Sequence, residues 1–374
     1  MSSTVTATTT VTAAVARTTG APLTIETLDL DAPRPGEVRV RMVATGVCHT
    51  DAIVRDGVYP TPLPAVLGHE GAGVVEAVGE AVTTVRPGDH VVLSAAYCGH
   101  CRQCRAGRVA YCENLMAEDF GGRRADGSTS LTSPEGPVSS HFFGQSSFAT
   151  YANVVETSVI KVDPAAPLET LAPLGCGLQT GAGAVLNELR PEAGTSLIVF
   201  GVGAVGSAAI MAARVAGCTT VIAADLHPSR LELAEEIGAT HTINSGTADV
   251  AAEIARITGG EGVNYALDTT AVPAVLRQAA ESLAIGGTLA LVGAAKPGTE
   301  VNFEIGASLV KGWTFKTIVQ GSSVPQVFIP RLVELWEQGR FPFDKLIRTY
   351  ALDDINTAFA DSANGSAVKP VVLF

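Results

Sequence analysis

Between Ala21 and Leu93, apolar and polar positions alternate with a period of two, broken by Gly and Pro. Glu37-Val-Arg-Val-Arg-Met-Val43 alternates most cleanly, and Val74–Val78 and His90–Leu93 read the same way, which predicts strands with one buried face. Arg86-Pro-Gly-Asp89 and Pro60-Thr-Pro62 mark the loops between them. From Gly121 to Ser140 the chain is rich in Gly, Ser, Thr and Pro without a period, and a surface loop is expected. After Gly175 the rhythm changes. Ser196–Phe200 is a short apolar run suited to a buried parallel strand, Ala204–Ala216 is a helix of small residues, and Thr220–Ala224 is the next strand, closed by Asp225. Arg230–Ile237, Val250–Ile257 and Val272–Leu283 predict further helices, with Tyr265–Leu267 and Leu289–Val292 as strands. This alternation predicts a doubly wound parallel sheet. An amphipathic helix over Phe328–Gln338 and a strand at Pro370–Phe374 end the chain.

At 374 residues the chain exceeds one ordinary core. We expect a β-rich first domain over residues 1–178 with a cysteine lobe at 97–113, a helix–strand domain over 179–319, and a tail, 320–374, that returns to the first. Apolar residues make up 47% and charged ones 17%, so disorder is not expected to dominate. A net charge of −12 with no dense Lys/Arg run repels nucleic acid and anionic membrane, which leaves small molecules as the default partners. Met1–Thr12 has no basic cluster before an apolar core and reads as a frayed leader, not a signal peptide. The most apolar stretch, Leu197–Ala224, is punctuated by three glycines and Arg214 and does not read as a membrane span. A cytoplasmic location follows, and in a reducing compartment seven cysteines are better read as metal ligands than as disulfides.

Cys98, Cys101, Cys104 and Cys112 place four thiols on one short irregular segment, the spacing of a closed, structural zinc site. His100 between them reads as solvated. Cys48, His69 and Cys176 each lie near glycine and together could supply an open metal site with three protein ligands. Taken singly, each cysteine would pass as a small core residue. Cys218 reads as packing. Strand Leu197–Phe200 runs into Gly201-x-Gly203-x-x-Gly206 at the start of a helix, the context in which glycines admit a pyrophosphate at a helix N-terminus. Asp225 ends the next strand, where a carboxylate binds the adenosine ribose and repels a 2′-phosphate, favouring NAD over NADP. Arg230 either lies over that ribose or faces solvent.

Gly68-His69-Glu70-Gly71-Ala72-Gly73, followed after five residues by Gly79-Glu-Ala-Val82, resembles the signature of zinc-dependent medium-chain alcohol dehydrogenases. With the thiol lobe, Gly175-Cys176-Gly177 and the glycine turn, the likeness covers nearly the whole chain. The segments Gly175–Gly183, Phe143-Gly-Gln-Ser-Ser-Phe-Ala149 and Gly339-Arg-Phe-Pro-Phe-Asp-Lys345 are most similar to the aryl (benzyl) alcohol dehydrogenases. The resemblance implies an α/β protein with a GroES-like β-rich catalytic domain plus a doubly wound parallel Rossmann coenzyme domain. It implies two zinc ions, one structural and one catalytic, the latter on Cys48, His69 and Cys176. Asp51 would orient His69, Glu70 would assist ligand exchange, and Thr50 would hydrogen-bond the substrate oxygen and start a proton relay. Many relatives end that relay at a histidine five residues beyond the first cysteine ligand. Ile53 stands there in this chain, so the proton leaves through His49 or through water; His49 also matches a pyrophosphate and ribose contact. Thr180, Val292 and Lys369 match coenzyme contacts. The implied reaction is reversible oxidation of a primary alcohol, aryl or allylic, by NAD. Ala95, Ala96, Phe142 and Phe143 are the pocket candidates. The alternatives are a glutathione-dependent formaldehyde dehydrogenase, a broad aliphatic alcohol dehydrogenase, a reductase without catalytic zinc, and a non-catalytic zinc-holding protein. A homodimer or homotetramer is expected through the edge near Trp313–Val319.

Overall fold

The computed structural model describes residues 8–374, in two units. The first runs to Cys176 and takes in Val324–Arg331 and Leu346–Phe374; the second comprises Gly177–Ser323 and Leu332–Lys345. The tail is therefore shared, not returned whole to the first unit. In the second unit the buried rings of Phe341 and Phe343 lie 5.9 Å apart, and the Trp336 ring lies tilted at 5.7 Å from Phe343.

The alternating region builds two sheets in the first unit. Glu37–Gly46 is the spine of the larger, pairing antiparallel with Gly71–Val78, Tyr151–Val155 and Lys369–Leu373. His90–Leu93 joins Gly71–Val78, matching its expected bounds. Val38, Val40, Met42, Val75, Val91 and Leu93 form the core on one side. The other face is not solvated as strict alternation implies: Glu37 and Arg39 are buried. Buried charge needs partners. Arg124 donates to Glu37 at 2.6 Å and to Asp31 at 2.8 Å, His141 Nε2 lies 3.0 Å from Glu37, and Arg39 donates to Asn153 at 3.2 Å.

Two expectations are corrected by the second sheet of this unit. The Gly121–Ser140 stretch contains a hairpin, Leu131–Ser133 with Gly136–Val138, whose strands are too short to show a period and are fixed by pairing with Thr24–Leu30. Of the supposed leader Met1–Thr12, Thr9–Thr12 belong to strand Thr9–Ala16, where Val11 is buried against the core; Met1–Ala7 lie outside the described residues.

The second unit holds a six-stranded sheet, parallel throughout, in the order His241–Asn244, Thr220–Asp225, Ser196–Phe200, Val263–Asp268, Leu283–Leu291, Thr314–Thr317. The order reverses beside Ser196–Phe200, where such sheets bind nucleotides. The small side chains of Ala204–Ala216 let that helix bury Gly206 through Ala213. The helix expected at Val272–Leu283 is Pro273–Glu281, and Leu283 opens the following strand. Among the described residues no helix is long and apolar enough to cross a membrane.

Candidate active site

The four cysteines of the lobe bring their sulfurs within 4.8 Å of one another, and none forms a disulfide. A zinc tetrahedron with Zn–S bonds of ~2.3 Å holds its sulfurs roughly 3.8 Å apart, and Cys98 Sγ lies 4.0 Å from Cys104 Sγ. Backbone N–H groups of Cys104 and Glu113 donate to Cys101 Sγ and hold its pKa down to about 6, while burial pushes Cys104 up to about 12. His100 is exposed and bonds only the Cys98 carbonyl among the described residues. The site fits a closed zinc, and the lobe's own core is small: Cys104, Val109 and Cys112 are buried, with Tyr97, Leu115 and Val324 packed partly against them.

A second donor set, Cys48, His69, Glu70 and Cys176, also gathers within 4.8 Å in the first unit, with His69 and Glu70 buried and the two cysteines half-buried. Three distant segments meet there. Cys48 caps the helix His49–Arg55, and Asp51, one turn in, accepts the Cys48 N–H at 3.0 Å and the Gly68 N–H at 3.1 Å. The same carboxylate lies 2.8 Å from His69 Nδ1. That contact puts the imidazole proton on Nδ1 and leaves the Nε2 lone pair free to ligate. Among the described residues the buried His69 Nε2 makes no geometric hydrogen bond and adjoins the Cys48 thiol, as a ligand nitrogen would. Burial disfavours charge on His69, yet the charges of Asp51 and Cys48 raise its pKa well above the ordinary value. Contact with Cys176 holds the Cys48 thiol well below its usual range, and the same contact, with burial, pushes Cys176 well above it. The pair thus shares one proton, which a metal ion would displace, and a Cys₂His set suits zinc.

Glu70 is fully buried and pairs with Lys369 at 2.5 Å; the Lys369 ammonium also donates to the Val47 carbonyl at 3.1 Å. Lys369, which matches a coenzyme contact in the family, is here paired with the carboxylate beside the thiols. Thr50 is half-buried on the first turn after Cys48, His49 is exposed, and Ile53 is half-buried.

The pocket candidates are all buried. Phe143 stacks on the His69 ring at 4.4 Å, and Phe142 meets it edge-on at 5.5 Å. Phe120, which the sequence did not single out, packs edge-on against both phenylalanines and against Tyr59. Phe143 holds φ of 51°, a left-handed conformation that costs a bulky residue about 1–3 kcal/mol. Ala95 and Ala96 lie nearby in sequence to Ser94, and the Ala96 N–H donates at 3.1 Å to Asp119, a buried acid whose pKa burial raises well above normal. Nothing in Glu118-Asp119-Phe120 distinguishes it from a surface acid in the sequence.

In the second unit the glycine turn forms as expected. Gly201 has φ of 85°, and a Cβ on Gly206 would collide with the Gly201 carbonyl, so the turn and the helix after Gly203 need these glycines. Asp225 is buried and accepts from Val202 N at 2.7 Å and His227 N at 2.9 Å; Arg230 Nη1 lies 3.8 Å from it. Thr180 is buried on helix Gly177–Gly183, and Val292 is half-buried just past the strand Leu283–Leu291, bonded to the Asp268 carbonyl.

Residues 34–164 match the family model of the alcohol dehydrogenase GroES-like domain, and residues 204–337 that of the zinc-binding dehydrogenases. The chain is 45% identical to a geraniol dehydrogenase of Castellaniella defragrans, over 97% of each protein. Its fold superposes on the benzyl alcohol dehydrogenase of Acinetobacter calcoaceticus with a TM-score of 0.94 and 48% identity, covering 98% and 99% of the two chains. It matches an alcohol dehydrogenase zinc-binding domain protein from Burkholderia ambifaria at a TM-score of 0.96 and 57% identity, covering 98% and 100%. Two cysteine-bearing donor sets, a glycine turn on a parallel sheet and these likenesses lead to one assignment: the chain belongs to the zinc-dependent medium-chain alcohol dehydrogenases.

Proposed function

We propose that this alcohol dehydrogenase uses NAD to oxidise primary aryl or allylic alcohols reversibly to aldehydes, with Cys48, His69 and Cys176 holding the catalytic zinc and Cys98, Cys101, Cys104 and Cys112 the structural one. The observation that carries the substrate class is the aromatic cluster on the His69 ring, Phe143 face-on and Phe142 edge-on, which offers π surface beside the donor set. The names of two relatives agree. Geraniol and benzyl alcohol both place a π bond next to the carbinol carbon. For the coenzyme, the carboxylate of Asp225 disfavours a 2′-phosphate, and Arg230 is turned toward that acid.

When bound, zinc supplies a Lewis acid for the alcohol oxygen and the nicotinamide supplies the hydride acceptor. The chain's own residues do the rest. Asp51 fixes the tautomer of His69 and the start of the Cys48 helix with one carboxylate. Thr50 takes the substrate's proton, and since Ile53 has no group to receive it, the exposed His49 or water passes it out. The Glu70–Lys369 pair places a compensated charge beside the donors. The test is NADH formation with benzyl alcohol, geraniol, ethanol and S-hydroxymethylglutathione, repeated with NADP. The highest kcat/KM is expected for benzyl alcohol or geraniol with NAD. A preference for the glutathione adduct, for ethanol or for NADP would overturn the corresponding part of this reading.

A further inference from the structure

The ladder between Gly71–Val78 and His90–Leu93 stops at the pair Ala72 and Val92. Beyond it one strand leads back to His69 and the other on to Ser94, and the side chain of Gln145 bridges the two. Its Nε2 donates to the His69 carbonyl and to the Ser94 carbonyl, each at 3.0 Å, and its Oε1 accepts the Gly71 N–H at 3.1 Å. Ser94 extends the connection, its hydroxyl donating at 2.7 Å to the carbonyl of Gly175, the residue before Cys176. Gln145 is fully buried, so every one of these bonds is made away from water.

The neighbours of Gln145 follow the same strip of chain. Ser146 Oγ donates to the Val66 carbonyl, Phe148 N to that of Leu67 and Ser147 N to that of Gly68, and the Phe143 ring covers His69. Phe143 and Ser146 adopt left-handed backbone to do this. A segment held so firmly in unfavourable conformations points to a task other than chain connection.

We propose that Gln145 is a positioning residue of the metal centre: its carboxamide fixes the carbonyl of His69 and, through Ser94, the backbone beside Cys176, so that donors from distant segments stay in register. The inference rests on the assignment of Cys48, His69 and Cys176 as ligands. The experiment is cobalt(II) titration against a competing chelator, with visible spectra and melting curves, on the full-length wild type, Gln145→Met and Ser94→Ala. Gln145→Met keeps the length and removes every hydrogen bond. It is expected to weaken cobalt binding at this site by roughly 10–100-fold and to shift the ligand-field bands, with the four-cysteine site unaffected. Ser94→Ala is expected to lose less affinity and to shift the thiolate-to-cobalt charge-transfer band; if Gln145→Met does not fold, this variant decides. A lowered melting temperature with wild-type affinity and spectra would mean a purely structural role and overturn the proposal. Wild-type protein that takes up cobalt only at the lobe would instead sink the ligand assignment, and the positioning role with it.

Discussion

The two cysteine-bearing sites solve the same problem in opposite ways. In the lobe, Cys98, Cys101, Cys104 and Cys112 fall within fifteen consecutive positions and share a small core with Val109, against which Tyr97, Leu115 and Val324 pack. In the buried set, Cys48, His69 and Cys176 come from segments far apart in sequence, and each is fixed by the surrounding protein: Asp51 at the helix cap and the imidazole, Gln145 and Ser94 behind the backbone. On the proposed ligand assignment, a metal in the lobe would supply order the short segment lacks, whereas the other set is backed by hydrogen bonds from the surrounding protein. Structural zinc contributes folding energy directly, and a catalytic site spends its precision on ligand orientation.

That contrast is broken most sharply by a pair of matched substitutions. Cys48→Ser should lower kcat/KM at least ~10³-fold, the equivalent of several kcal/mol of metal-derived stabilisation, with a melting temperature close to wild type. Cys104→Ser should do the reverse at first, lowering the melting temperature by roughly 10 °C and exposing the lobe to proteolysis, while fresh protein keeps measurable turnover. Equal thermal losses in both would erase the distinction. Asp51→Asn comes next. An amide can present its NH₂ to His69 Nδ1 and impose the wrong tautomer, so metal affinity or activity should fall about 10–100-fold, checked by zinc competition.

Acid also tests an ion network that the protein holds without any metal. Burial works against ionising Glu37, but His141, Arg124 and the Arg34 N–H bring its pKa down from 4.5 to about 2. Because the folded value is the lower one, ionised Glu37 stabilises the fold above pH 4.5, and that stability is lost as pH falls through about 2. Glu37→Gln should cost about 3 kcal/mol near neutrality, and urea melts should show the gap to wild type closing between pH 4.5 and pH 2. Because His141 adjoins Phe142 and Phe143, the variant should also loosen the aromatic cover on His69. The smallest effect expected is that of His49→Gln, a few-fold slowing with a displaced pH dependence of the hydride step. An unchanged profile would leave water as the proton's route.

Legibility followed the same divide. The lobe could be read from spacing because its chemistry is local. The parallel sheet was legible too: Ser196–Phe200 and Ala204–Ala216 have the expected bounds, since fully buried strands and small-residue helices leave strong patterns. At the other site Cys48, His69 and Cys176 could be grouped as a candidate three-ligand set. The roles of Asp51, Glu70 and Thr50 came only from likeness to a family, for nothing near Cys48 or Cys176 announces a partner more than a hundred residues away. What stayed hidden was the support. Glu37 and Arg39 sit on a strand whose alternation assigns them to solvent, but Arg124, Asp31 and Asn153 arrive from elsewhere and bury them. Gln145 and Asp119 are polar residues of a kind usually found at surfaces, and their burial is decided by tertiary pairing that no local pattern records. The pairing of Lys369 with Glu70 was also hidden, because the two lie about three hundred residues apart.

The most direct measurement is the zinc content of purified wild type and Cys48→Ser, taken alongside their melting temperatures. Two zinc ions per chain in the wild type and one in the variant, with the fold kept and turnover gone, are what two donor sets of different kind require. A variant that keeps both ions, or one that loses its fold with the second ion, would contradict the account.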